Sequence, residues 1–201
     1  MKLNKIVRWQ YILGAVIAAL IVFGARYLIL RPDFIPWEFS AARAKGAAIA
    51  EKIVELSRNN LARLSDVSRF DRQRNVSEAL ISISNAVIEN RQTQVEAIRL
   101  SSQLEEMAQY ISQIRPVRAR EFATEAVAAQ VALVSRLLFY GDYMSRLFET
   151  LRAKFDDPGR AYLDGQVNDL INKLNDEAQA INDLNKRATR ALDEFDRVFN
   201  N

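Results

Sequence analysis

The stretch DRQRNVSE, residues 71–78, decides between two folds for this chain, because it contains the weakest of three predicted helix breaks. Asn75 is a favourable helix N-cap, and Glu78 three residues later completes an Asn-x-x-Glu capping box. A break here gives four helices of similar length. Without it, one helix runs from residue 40 to 114 and spans about 110 Å. We keep that long coiled-coil hairpin as the alternative.

Two stronger break signals lie further along the chain. Pro116 must disturb any helix that runs through it, and the run DDPG at residues 156–159 is a strong turn signal. Together the three breaks predict helices over about residues 40–72, 76–114, 117–155 and 159–199.

The pattern within these segments is helical throughout. Each segment repeats apolar residues at spacings of three and four, and none alternates with a period of two. Because short turns make sequential helices antiparallel, we expect an all-α fold, an elongated up-down-up-down four-helix bundle about 60 Å long. The third helix is the most apolar, since a second stripe of Val127, Val131, Val134 and Leu138 lies beside its first. Such a helix is either the most buried or a partner surface, and we expect burial.

Residues 11–30, YILGAVIAALIVFGARYLIL, form a long apolar segment before the predicted bundle. About 20 mainly apolar residues cross a bilayer as a helix, so we expect a transmembrane helix over 11–30 and an interfacial segment over 31–39. A cleaved signal peptide is the alternative, but no small-x-small pattern follows the apolar core. The residues expected at the membrane interface are Trp9, Tyr11, Arg26, Tyr27, Arg31 and Trp37.

The cations around this segment suggest its orientation. Lys2, Lys5 and Arg8 precede the segment more densely than the cations that follow it. Residues 1–10 are therefore expected to be cytoplasmic, and the bundle in residues 40–201 extracytoplasmic. Since no second apolar span follows the bundle, we expect a single-pass tether and not half of a transducer.

The net charge of +3 belongs to the N-terminal segment. Residues 1–39 hold five basic and two acidic residues, which leaves 23 of each in residues 40–201. A neutral domain lacks the basic surface that a phosphate backbone attracts, so we expect no nucleic-acid partner. The expected partners are the lipid bilayer and a protein, either another chain or a second copy of this one.

Histidine and cysteine are both missing from the sequence. That composition excludes histidine-assisted nucleophiles, thiolate chemistry and zinc sites with nitrogen or sulfur ligands. Carboxylate catalysis or a Ser-Lys pair stays open by composition, but no motif brings such residues together. We therefore expect no enzyme, no catalytic residue, no cofactor and no metal.

A polar constellation is predicted at mid-bundle, where all four helices reach the same height. Gly141 lies in mid-helix, where it costs about 1 kcal/mol relative to alanine, and Arg91 is within reach of Asp142. One hypothesis is a small ligand pocket; the other, which we favour, is a buried polar layer that fixes helix register. The residues of this constellation are Asn60, Asn90, Arg91, Gln94, Tyr140, Gly141, Asp142 and Lys173.

Arginines cluster at the turn before the third helix. Arg115, Arg118 and Arg120 are predicted to lie at the anchored end, near Arg43 and Lys45. Such a basic collar is expected to contact anionic headgroups within about a Debye length, although solvated arginines at a turn explain the pattern equally well. The expected function is a structural or protein-interaction module, with a sensor-like ligand-binding module as the alternative.

Overall fold

The computed structural model describes residues 35–157 and 162–200. They form four long α-helices, which we number α1 Trp37–Arg72, α2 Val76–Tyr110, α3 Val117–Asp156 and α4 Tyr162–Asn200. A single 3-10 turn, Ile111–Gln113, follows α2. No strand occurs in the described part of the chain. The all-α prediction is therefore confirmed for these residues.

The first break is present, so the alternative of one unbroken helix from residue 40 to 114 is wrong. α1 ends at Arg72, and Arg74 adopts a left-handed φ of 56° that turns the chain. Asn75 then caps α2, because its side-chain oxygen accepts a hydrogen bond from the Glu78 N–H at 3.3 Å. This bond is one of the two that a capping box makes.

The other helix ends differ little from the expected bounds. α1 begins at Trp37, so the last three residues of the expected interfacial segment, 37–39, are helical. After the 3-10 turn, Ile114 is extended, and Pro116 immediately precedes α3, where its fixed φ is compatible with a helix start. The second half of the predicted DDPG turn lies outside the described residues.

Neighbouring helices run antiparallel. Lys52 of α1 pairs with Glu96 of α2, whereas Arg63, further along α1, pairs with the earlier residue Glu89. The α3–α4 pairs follow the same rule, and the contact of Arg43 with Asp196 closes the ring between α1 and α4. α1 packs mainly on α2 and α3 mainly on α4, while α2 and α3 make the smaller contact that joins the two hairpins.

The interior contains two main apolar clusters along the bundle axis. The proximal core lies where α1 and α3 begin, and its large, fully buried residues include Phe39, Ile53, Leu104, Met107 and Phe195. The distal core lies at the other end, with Ile83, Met144, Phe148 and Leu174. The segments before α1 and α3 close the proximal core with two buried isoleucines, Ile35 and Ile114.

α3 is a core helix, but only part of its predicted second stripe is buried. Val127 and Val134 are buried, Leu138 is half-buried and Val131 is exposed. Among the described helices, α3 alone is long and apolar enough to cross a membrane. Length and composition do not separate a span from a core helix, and α3 packs against both α2 and α4. The predicted span, residues 11–30, lies outside the described residues.

Candidate functional site

A polar layer separates the proximal core from the distal core and surrounds a cavity of about 20 Å³. The polar side chains come from α1, α2 and α3, and α4 adds apolar residues to the cavity wall, because the cavity lies where each helix is near its midpoint. Gly141 and three aliphatic side chains complete the wall. The polar residues that line the cavity are Ser57, Asn60, Asn90, Thr93 and Tyr140.

Asn90 is the best-connected residue of this layer. It is 2% exposed, and its side-chain nitrogen donates hydrogen bonds to the Gly141 carbonyl at 2.7 Å and to the Ser145 hydroxyl at 2.8 Å. Both acceptors belong to α3, so these bonds tie α2 to α3. A buried amide with two such partners is satisfied and fixes the axial position of one helix against the other.

Space and not backbone conformation favours glycine at position 141. A Cβ atom at this position would lie 2.8 Å from both Cγ and Nε2 of Gln94. Glycine therefore lets the Gln94 side chain approach α3. This explains why a residue that weakens helices lies in the middle of α3.

Asn60 contrasts with Asn90. It is 4% exposed, yet its side-chain oxygen accepts no hydrogen bond from any protein group in the described ranges. The neighbouring hydroxyls are engaged elsewhere, since Ser57 donates to the Ile53 carbonyl and Thr93 to the Glu89 carbonyl of their own helices. Asn60 therefore faces the cavity with one unpaired acceptor.

The cavity is too small for a metabolite. Its volume of about 20 Å³ exceeds the roughly 10–15 Å³ needed to hold one water molecule. Small-molecule sites are larger by more than tenfold, at about 300–1,000 Å³. The Tyr140 hydroxyl is buried beside it, and burial raises the pKa of this phenol, which therefore stays protonated. The geometry fits a register-fixing layer better than a ligand pocket.

The structure brings together five of the eight residues predicted for this layer. Asn60, Asn90, Tyr140 and Gly141 line the cavity, and Gln94 packs against Gly141. The remaining three lie on the surface, because they occupy the outward faces of their helices: Arg91 is exposed, Asp142 pairs with Arg146 at 3.1 Å, and Lys173 pairs with Asp169 at 2.7 Å.

A buried ion pair at the proximal end corrects the predicted basic collar. Arg43 is 5% exposed and donates two hydrogen bonds to the Asp196 carboxylate, at 2.8 and 2.9 Å. Its guanidinium also lies 5.7 Å from the ring centroid of Phe195. Arg43 therefore belongs to the interior contact of α1 with α4 and is not available to lipid headgroups. Of the other residues in the predicted collar, Lys45, Arg115 and Arg118 are exposed and Arg120 is half-buried.

A second buried charge lies between α1 and α2. Glu96 accepts a hydrogen bond from Lys52 at 2.6 Å and one from Arg99 at 3.1 Å. The hydrogen bond from Lys52 is the largest cause that lowers the pKa of this carboxyl, and Arg99 adds to it against the opposing effect of burial. Glu96 is thus held ionised as a structural group.

An apolar row on the outside of α2 was not among the predicted site residues. We call it the α2 row: Ile81, Ile88, Val95 and Ile98, which are 53, 66, 45 and 57% exposed. The first three are seven residues apart, so they lie along one side of the helix. The sequence signal was present as a second apolar repeat, but it competes with the repeat that contains Ile83 and Ala97.

No group of three or more side chains suited to a metal ion occurs within residues 35–157 and 162–200. No family model, curated protein or solved structure matches this chain.

Proposed function

We propose that this protein is a single-pass, membrane-anchored four-helix bundle with a non-enzymatic role as a protein-interaction module. Its binding surface is the α2 row, and its partner is a second copy of the same chain in the same membrane. The observation that supports this proposal is the row of four exposed β-branched side chains along some 26 Å of α2. Exposed apolar residues scattered singly need no explanation, but an aligned row indicates a contact surface.

The spacing of the row supports a helical partner. Residues 81, 88 and 95 occupy equivalent positions of a seven-residue repeat. Apolar side chains at that spacing pack into holes on a facing helix. The interacting surface is thus an α-helix with the same repeat.

The anchor supports self-association in a parallel arrangement. If residues 11–30 span the bilayer, every copy in one membrane has its α2 running in the same direction. Ile81, Ile88 and Val95 then face their own counterparts in register. The domain in residues 40–201 carries 23 basic and 23 acidic residues, so two copies do not repel one another through net charge.

The ligand-binding alternative has less support. Its proposed pocket is the mid-bundle cavity, whose volume of about 20 Å³ matches a single water molecule. We assign the polar layer to helix register and the α2 row to interaction. The expected topology, a cytoplasmic residue 1–10 segment with the bundle extracytoplasmic, is part of the proposal and rests on the distribution of cations near residues 11–30.

Crosslinking of single cysteines tests the proposal, because the chain contains no native cysteine. We expect Ile88→Cys to form a covalent dimer under mild oxidation in native membranes. The control is Phe139→Cys, because Phe139 on α3 is 55% exposed but lies outside the row. Equal dimer yields at both positions, or none at position 88, would contradict the proposal.

A second variant separates self-association from binding to a different protein. Arg91 is exposed on α2 between Ile88 and Val95, and in a parallel pair it faces its own counterpart. Arg91→Leu removes this like-charge contact and should increase the dimer yield of Ile88→Cys. An unchanged or lower yield would indicate that α2 does not meet a second α2 in parallel register.

A further inference from the structure

We infer that the proximal end of the bundle docks on the surface of the bilayer, with Trp37 inserted at the headgroup level. Two large apolar side chains project from this end: Trp37 is 72% exposed and Val117 is 58% exposed. They are the first residues of α1 and α3. Because α1 and α3 run in the same direction, the two side chains lie at the same end of the molecule.

The exposure of these residues is not a consequence of a loosely packed end. On either side of Trp37, Ile35 and Phe39 are buried, and the neighbours Ile114 and Ala119 of Val117 are fully buried. The proximal core is thus closed directly beneath them. An exposed tryptophan over a closed core is best explained by an external apolar environment, and tryptophan favours the membrane interface in particular.

The chain itself determines which surface is near. Six residues lie between Leu30, the end of the predicted span, and Trp37, and the seven Cα–Cα steps that join the two reach at most about 25 Å when extended. This inference rests on the anchor that forms part of the proposed function. With that anchor, the proximal end stays beside the headgroups at all times.

The charges at this end fit anionic headgroups, although they contribute less than the apolar side chains. Arg115 and Arg118 are exposed beside Val117, and each cation near an anionic surface contributes about 1 kcal/mol. Arg120 adds a third cation at the same turn, and Glu38 and Glu121 lie at the same end, so the net positive charge is small. The preference for anionic lipid should therefore be real but modest.

The opposite end offers a matched comparison. Tyr162, the first residue of α4, is 59% exposed, but the acidic residues Asp156, Asp157 and Asp164 are exposed near it. It lies at the distal end, roughly the length of a 40-residue helix away, about 60 Å. It should remain in water.

Tryptophan fluorescence of the full chain in vesicles tests the inference, since the chain has only two tryptophans. The Trp9→Phe variant leaves Trp37 as the single probe. In phosphatidylcholine–phosphatidylglycerol vesicles with brominated acyl chains, we expect blue-shifted emission and quenching several-fold stronger than in a control that carries Trp9→Phe, Trp37→Phe and Tyr162→Trp. Quenching of Trp37 no stronger than that of the control probe would overturn the inference.

Two further measurements complete the test. The double substitution Arg115→Gln/Arg118→Gln should abolish the extra quenching that phosphatidylglycerol produces over phosphatidylcholine alone; extra quenching that survives it would overturn the role of the arginines. Alkaline extraction reports on the anchor independently. A chain that resists extraction but keeps Trp37 in water disproves docking alone, whereas a chain that is extracted disproves the anchor.

Discussion

The mid-bundle layer buries polar residues, whereas the outer face of α2 exposes apolar ones. Both regions depart from the usual distribution of residues in a folded protein. At mid-bundle, Asn60 and Asn90 are buried; on the outside of α2, Ile81 and Ile88 are exposed. The buried amide of Asn90 has its partners within the bundle, so the fold accounts for it. No contact within the described part of the bundle explains why these isoleucines are exposed. Asn90 therefore serves the fold, whereas for Ile81 and Ile88 we propose a role in binding.

This difference predicts separate effects for substitutions in the two regions. Substitutions of buried polar residues should change the free energy of unfolding without changing association, and substitutions in the α2 row should do the opposite. Unfolding is measured by urea titration of the full chain in mild detergent, with circular dichroism as the signal.

Arg43→Met should lower the free energy of unfolding by about 3–5 kcal/mol, because it leaves the Asp196 carboxylate partly buried without its partner. The matched control is the double variant Arg43→Met/Asp196→Leu. It should recover most of the loss, since replacing both members of a buried ion pair by apolar residues is often neutral. A double variant as unstable as the single one would show that the pair has no special role.

Asn90→Leu should cost about 2–3 kcal/mol, because it removes two hydrogen bonds and leaves the Ser145 hydroxyl without its donor. The volume of the side chain is nearly kept, so the loss reports on hydrogen bonding. Dimer yield in the Ile88→Cys background should not change. A stability loss below about 0.5 kcal/mol would show that Asn90 does not fix the helix register.

Glu96→Gln should cost about 1–2 kcal/mol at neutral pH, since charged hydrogen bonds from Lys52 and Arg99 are weakened. The pKa of Glu96 is lowered in the folded state, so its contribution is complete above the unfolded pKa of about 4.3 and lost as the pH falls through the folded pKa. The difference from wild type should therefore be constant above about pH 5 and shrink below about pH 4. A difference that grows towards low pH would contradict this assignment.

Asn60→Leu should change stability by less than about 1 kcal/mol in either direction, because the oxygen that it removes has no protein partner. This variant is the control for Asn90→Leu, since both replace a buried asparagine of the same layer. A large loss would mean that Asn60 holds an essential hydrogen bond, for example through a water molecule in the cavity.

Ile88→Asp should leave the free energy of unfolding of the monomer, measured at a chain concentration too low for dimers, within about 0.5 kcal/mol, as expected for an exposed position. The same change should abolish dimer formation, read as the crosslinking yield of Ile81→Cys in the same chain. Phe139→Asp serves as the matched control and should leave that yield unchanged. Loss of stability without loss of the dimer would show that Ile88 serves the fold and not the dimer contact.

The helix breaks could be predicted because their causes are local. Asn75 caps α2 through an atom only three residues away, and Pro116 acts on its own backbone. Four of the residues that line the cavity were also foreseen, because helices of similar length with short turns have their midpoints at one height. Gly141 could be foreseen too, because glycine weakens a helix and its presence in mid-helix indicates close packing.

The face of each helix that is buried was harder to predict. Ile83 and Ile88 are both isoleucines on α2, yet one is fully buried and the other is exposed. Arg43 was expected at the surface, but it is buried because Asp196, 153 residues later, lies opposite it on α4. Nothing local to either residue distinguishes these outcomes. They depend on which helices are neighbours and at what rotation.

By itself the sequence determined the helical class, the first helix break, the neutral charge of the bundle and the exclusion of imidazole and thiolate chemistry. These properties follow from composition and from interactions over a few residues. Only the tertiary structure decided that Arg43 is an interior residue, that the mid-bundle cavity holds no more than a water-sized volume, and that the α2 row faces outward. Burial and cavity volume arise from the mutual placement of helices far apart in the chain, which no local pattern specifies.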